Sequence, residues 1–156
     1  MKRLKKIVMI LSILLIAIQF IQPALNEDVQ IHPTHYTTVF VVPENMQSIL
    51  RKACYDCHSK NTKYVWHSNI QPMGWVMAKH IKNGKEGISF SEFGGYSLRK
   101  QVTKLKGIAG EIRNRTVPLL SCKIMHNEDR LSREEKLLVT GWKENKVDSY
   151  LISNSI

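Results

Sequence analysis

The chain is 156 residues long and carries 23 Lys and Arg against 13 Asp and Glu, a formal net charge of +10. That length holds one small domain, and no internal repeat or low-complexity segment interrupts it. No phosphate-binding loop, Ser–His–Asp constellation or pair of catalytic carboxylates stands out, which argues against phosphoryl transfer and hydrolysis.

The N-terminus is basic, with Lys2, Arg3, Lys5 and Lys6, and an apolar run follows at residues 7–21 before Pro23 ends any helix near Gln22. A basic tip ahead of an apolar core is the pattern of an export signal. The run reaches ~22 Å at ~1.5 Å per residue, short of a hydrocarbon core ~30 Å thick, although Leu4 and the flank to Leu25 extend it towards a span. Residues 20–27 hold no small-x-small cleavage site. Residues 1–25 are therefore expected to be an uncleaved signal anchor, a single transmembrane helix. Its basic end would lie in the cytoplasm and the rest of the chain on the periplasmic, extracytoplasmic side of the cell membrane. Setting the four basic residues of the tip aside leaves +6 for the remainder. Such a surface suits an acidic protein partner or anionic headgroups, whereas nucleic acid is a poor fit to an exported domain without a nucleic-acid-binding motif.

Residues 26–43 read as a linker in which Tyr36–Val42, rich in β-branched and aromatic residues, forms an extended piece. A helix is expected from Pro43 or Glu44, with Met46, Ile49, Leu50 and Ala53 at helical spacing. It delivers Cys54 at its end, and there the most informative residues begin.

Cys54-Tyr55-Asp56-Cys57-His58 is a C-x-x-C-H run, the attachment pattern of c-type haem. Two thiols three positions apart can each add to one vinyl group of a single porphyrin, and the next residue then sits beneath the ring as proximal iron ligand. Rival chemistries claim the same residues. A structural zinc site needs a second pair of ligands, but Cys122 is the only other cysteine and no H-x3–5-H pair follows. A thioredoxin-like pair needs a βαβ context that the flanks lack. A plain disulfide leaves His58 without a role.

Beyond the motif, residues 61–71 read as a loop. A second helix is expected from Pro72 to about Gly84, carrying Trp75, Val76, Lys79 and His80, and residues 87–95 are turn-rich. A third helix should run from about Ser97 to Arg113 with Leu98, Val102, Leu105, Ile108 and Ile112 on one stripe. Residues 117–120 break the pattern. Ser132-Arg-Glu-Glu135 is a capping box that opens a last helix, in which Leu137, Leu138 and Trp142 follow. The expected architecture is mainly α, with about four helices in a domain at 44–148, behind the N-terminal helix and ahead of a tail at 149–156.

Ala53 to Phe93, ACYDCHSKNTKYVWHSNIQPMGWVMAKHIKNGKEGISFSEF, resembles a family of small exported haem-binding domains that carry C-x-D-C-H-S-N, W-Y-x-N-I-x-P and N-F-S-E-F/W. The likeness continues to VPLLSCKIMHNEDRLSREEK at residues 117–136 and covers most of residues 44–145. It implies a cytochrome c-like helical domain holding one haem c covalently through Cys54 and Cys57, with His58 on the iron. Relatives tend to have Met before the proline at Val117-Pro118, where it would be a natural sixth ligand, and Tyr at Cys122. Valine cannot ligate iron. The remaining candidates for the sixth position are His80, Met73, Met77, Met125, His126 and His67; His80, which matches a histidine frequent in the family, is favoured. Trp66, Trp75, Phe90, Phe93 and Tyr96 are expected to line the porphyrin, and Cys122 to be buried and inert.

The expected function is that of a membrane-anchored, exported c-type cytochrome domain, an electron carrier rather than an enzyme, serving an acidic redox partner. An open sixth site would turn it into a sensor or a peroxidase-like protein. Without haem, Cys54 and Cys57 would be a thiol–disulfide pair.

Overall fold

Seven α-helices make up most of the structure, a computed structural model that describes residues 2–28, 30–114, 116–117 and 130–153. They are α1 (Lys2–Ile18), α2 (Tyr36–Val39), α3 (Glu44–Ala53), α4 (Tyr55–His58), α5 (Met73–Gly87), α6 (Leu98–Arg113) and α7 (Arg133–Ser153). No strand occurs among the described residues, whose one isolated β-bridge joins Glu27 and Asn61. Cys122, Met125 and His126 lie outside the described residues.

The four expected helices of the domain are α3, α5, α6 and α7. Pro43, held at φ −55°, leads into α3, and Glu44 occupies its first turn, where a carboxylate favours the N-terminal dipole. Met46, Ile49 and Leu50 of α3 are buried, and Lys52 at its end reaches Glu135 on α7 at 3.1 Å. The capping box forms as its sequence requires. Ser132 N donates to Glu135 Oε2 at 2.7 Å, and Glu135 N donates to Ser132 Oγ at 3.1 Å.

The stripe expected on α6 packs against the core at four of its five positions, with Leu105 and Ile112 buried and Val102 and Ile108 partly buried against it. On α6, Gln101, Leu105, Ala109 and Ile112 are buried while Leu98 is exposed. On α7, Leu137 and Leu138 face solvent at 65% and 47% exposure, and Val139, Lys143 and Val147 face inward. These three recur every four residues, so one helical face carries them all. α6 and α7 pack together, and α3 packs across α7.

The stretch read as a linker belongs to the core. Tyr36–Val39 is a helical turn rather than an extended piece, because side chains around it bind local backbone. His35 Nδ1 accepts from Thr37 N, and Thr38 Oγ1 donates to Pro33 O at 2.8 Å and His35 O at 2.7 Å. Such local bonding overrides β propensity. The turn sends Tyr36, Phe40 and Val42 into the same cluster as Met46, Leu50 and Phe93.

The N-terminal helix is shorter than expected. α1 has 17 residues, ~26 Å at ~1.5 Å each, and no helix among the described residues is long and apolar enough to cross a membrane. It ends at Ile18 because the polar residues beyond turn to the domain. Gln19 Nε2 donates to Gln71 O at 3.1 Å, while Gln71 N donates to Gln19 Oε1 at 2.9 Å. Gln71 Nε2 donates to Gln22 Oε1 at 2.8 Å, and Trp75 Nε1 to Ile21 O at 2.9 Å. None of α1's residues is buried.

Candidate functional site

Cys54 closes α3 and opens α4. Its N–H donates to Leu50 O, and its carbonyl accepts the N–H of His58, both at 2.9 Å. One helical turn therefore separates Cys54 from His58 and puts both on one face. They border the same cavity, of about 310 Å³. Cys57, one position before His58, is half-buried and does not line that cavity; its backbone lies against α5 at Gly84. The loop after α4 is stitched on both sides: Phe90 N donates to His58 O at 2.7 Å, and Asn26 Nδ2 to Ser59 O at 2.9 Å.

The His58 ring is held by its Nδ1, 2.8 Å from Gly84 O and 3.2 Å from Ile88 O. A carbonyl only accepts, so Nδ1 carries the proton and the lone pair is left on Nε2. This backbone anchoring is the arrangement that orients a metal-ligating histidine and fixes its tautomer. Burial pushes the His58 pKa below its ordinary value; the carbonyls of Ile88 and Gly84 oppose that shift, and Lys143 reinforces it. The neutral ring is the form that binds metal.

The cavity walls are largely apolar. Ala53, Ile88, Phe90, Ile108, Ile112, Val117 and Leu131 line them, with Gly87 and Gly107 among them. A β-carbon added at Gly87 or Gly107, both exposed, would meet nothing within 4 Å, so the chain leaves the space beside these two positions open. The size lies at the lower end of small-ligand and cofactor sites, ~300–1,000 Å³. Lys143 lines this cavity as well as a second pocket between α6 and α7; it is 1% exposed, and its Nζ lacks a hydrogen-bond partner among the described residues. Burial lowers its pKa to about 8, partly offset by the attraction of Cys54. A largely apolar cavity bordered by Cys54, the oriented imidazole of His58 and an unsatisfied buried nitrogen, with Cys57 on the same turn just outside its lining, fits a haem.

Other sequence expectations fall elsewhere. His80 sits on α5, half-buried, with Nδ1 enclosed and unpartnered, outside the cavity lining. Met77 is buried and Met73 exposed, and neither lines the cavity; His67, on a 3-10 turn, does not line it either. Of the five aromatics expected around a porphyrin only Phe90 lines the cavity. Phe93 is core, Tyr96 half-buried beside it, and Trp66 and Trp75 are exposed. No cluster of three or more His, Cys, Asp or Glu suited to a metal ion occurs among the described residues, so no four-ligand zinc site assembles there around Cys54 and Cys57. The sequence reading overlooked Lys143 and Gly84. Lys143 lies midway between Val139 and Val147 at four-residue spacing, a pattern that marks it as inward-facing.

Neither the curated proteins nor the solved structures contain a match to this chain. A family profile described as a haem-binding domain does match it, over residues 13–145. That range takes in the attachment motif, α5, α6 and Lys143 on α7, which together build the cavity. The chain belongs to this haem-binding domain family.

Proposed function

We propose that the chain is an exported c-type haem protein that carries electrons through one covalently attached haem. The observation that carries the reading is the shared cavity of Cys54 and His58, with the His58 ring anchored by Nδ1 to Gly84 and Ile88. In this reading Cys54 and Cys57 hold the porphyrin by thioether bonds and His58 Nε2 ligates iron. Bound haem supplies a one-electron iron couple. The chain's own part is to hold His58 neutral and aimed, through two backbone carbonyls that cannot rotate away. Phe90, Ile88 and Ile112 exclude water from around it, which lowers the local dielectric and tunes the potential.

The basic tip and the apolar α1, none of whose residues is buried, support export and retention at the membrane, with the bilayer as the natural cover for such a helix. The glutamines at 19, 22 and 71 then hold the domain close to that surface. The excess of basic side chains over the remainder suits an acidic redox partner.

Redox titration of the full chain in membranes tests the electron-transfer role. A single reversible one-electron step, with ferrous protein slow to take up carbon monoxide, is expected. High-spin iron that binds carbon monoxide at once would point to a sensor or peroxidase-like site instead.

A further inference from the structure

We propose that Lys143 is the sixth ligand of the haem iron, its amine facing the metal from α7 while His58 holds it from α4. This assignment rests on the reading of Cys54, Cys57 and His58 as a c-type haem site and deepens it.

The ring of His58 supplies the direction. Its Nδ1 faces Gly84 O on α5, so Nε2, at the far end of the imidazole, points away from α5. Iron bound to Nε2 lies on that far side. His80 belongs to α5, the helix that the Nδ1 side of the ring faces, and it does not line the cavity. α7 approaches from elsewhere, packed on α6 and α3, and it brings Lys143 into the cavity that Cys54 and His58 border.

Among the described polar side chains of that cavity Lys143 stands alone. Thr103 Oγ1 donates to Arg99 O at 2.8 Å, and Lys104 Nζ to Glu86 O at 3.0 Å. The Glu111 carboxylate accepts from Thr116. Lys143 Nζ is enclosed and has no partner. A buried nitrogen left unsatisfied is costly unless something absent from the bare chain satisfies it. Two groups of a bound haem could: a propionate carboxylate or the iron. The burial pattern favours iron. Thr103 and Glu111 are exposed and Lys104 is half-exposed, so they form the rim where propionates would reach water and a cation. Lys143, at 1% exposure, is far more enclosed than these three. Pairing an ammonium with a carboxylate there would bury two charges, whereas an amine donating its lone pair to iron buries none on the lysine. Val117, also on the wall, offers no competing donor atom.

The test uses the full chain exported with a c-type maturation system, in wild-type form and as K143L, K143R and H80L, with attached haem quantified first. Visible and electron paramagnetic resonance spectra then report the spin state. Wild type should be low-spin. Both K143L and K143R should turn high-spin with a red charge-transfer band and rapid carbon monoxide uptake, because leucine has no donor atom and guanidinium does not deprotonate. H80L should stay low-spin. K143L should melt no lower than wild type without haem, which separates ligand loss from misfolding. Low-spin iron in both Lys143 variants would overturn the assignment. So would a wild-type spectrum in K143R with only a shifted potential in K143L, the pattern of a propionate partner. Wild-type chain without attached haem would remove the haem reading itself, and this assignment with it.

Discussion

Replacing Gly84 with valine should lower stability by about 4 kcal/mol and misplace the His58 ring. A β-carbon at this position overlaps the carbonyl oxygen of Cys57 and lies 3.0 Å from that carbonyl's carbon and 3.1 Å from the Cys57 β-carbon. The obstacle is mostly backbone of α4, which cannot swing aside as a flexible side chain would. Forcing the branched side chain in costs ~1–3 kcal/mol as overpacking. Moving α5 away to relieve it takes Gly84 O from His58 Nδ1, and weakening a buried hydrogen bond of this kind costs a further ~1–3 kcal/mol. Denaturant unfolding should show the midpoint falling with the slope unchanged. Gly110 is the control: a β-carbon there meets nothing within 4 Å, and Gly110→Ala in mid-helix should stabilise by ~1 kcal/mol. Equal midpoints for Gly84→Val and wild type would contradict the close approach of α5 to the attachment turn.

Phe90→Ala should cost about 4 kcal/mol, within the ~3–5 kcal/mol of a buried Phe truncated to Ala. The ring is 4% exposed, with centroids 5.2 Å from Tyr36, 5.6 Å from Tyr55 and 6.2 Å from His58. Its removal enlarges the cavity and leaves Tyr36 and Tyr55 without their shared neighbour. The backbone bonds of this residue, Phe90 N to His58 O and Tyr36 N to Phe90 O, do not depend on the side chain. The loss is therefore one of packing, and Phe90→Leu should recover most of it. Chemical denaturation of the two variants checks this; an equal loss in both would show that the ring's shape, rather than its volume, matters there.

Much of the architecture was legible in the chain because its indicators are local. Pro43-Glu44, the Ser132–Glu135 capping box and the apolar spacing within 46–53 act over one or two helical turns, and α3 and α7 begin where those cues stand. The C-x-x-C-H run is legible for the same reason: its chemistry depends on five adjacent residues. What failed depends on distant partners. Trp75 looked like a porphyrin-lining ring, but its Nε1 is engaged by Ile21 across 54 positions. Which apolar residues of α7 face inward is not fixed by composition: Leu137 and Leu138 face solvent, and the helix turns Val139, Lys143 and Val147 inward because α6 and α3 approach from that side. Tyr36–Val42 read as an extended piece by propensity; local bonds of His35, Thr37 and Thr38 turn it into helix, and the core that then buries Tyr36 and Phe40 comes from distant residues. The short α1 is explained by pairing of Gln19 and Gln22 with Gln71, which no hydropathy window registers. Gly84 carried no local mark at all; its role appears only once Cys57 is seen against it.

The measurement that bears most directly on the central claim is a pyridine haemochrome spectrum of the full chain, exported with c-type maturation and extracted with acid–acetone. Haem that stays with the protein and gives a c-type spectrum, and that is lost to the solvent when Cys54 and Cys57 are both changed to alanine, is the predicted result. Haem that extracts freely from the wild-type chain, or never binds, would contradict it and return Cys54 and Cys57 to thiol–disulfide chemistry.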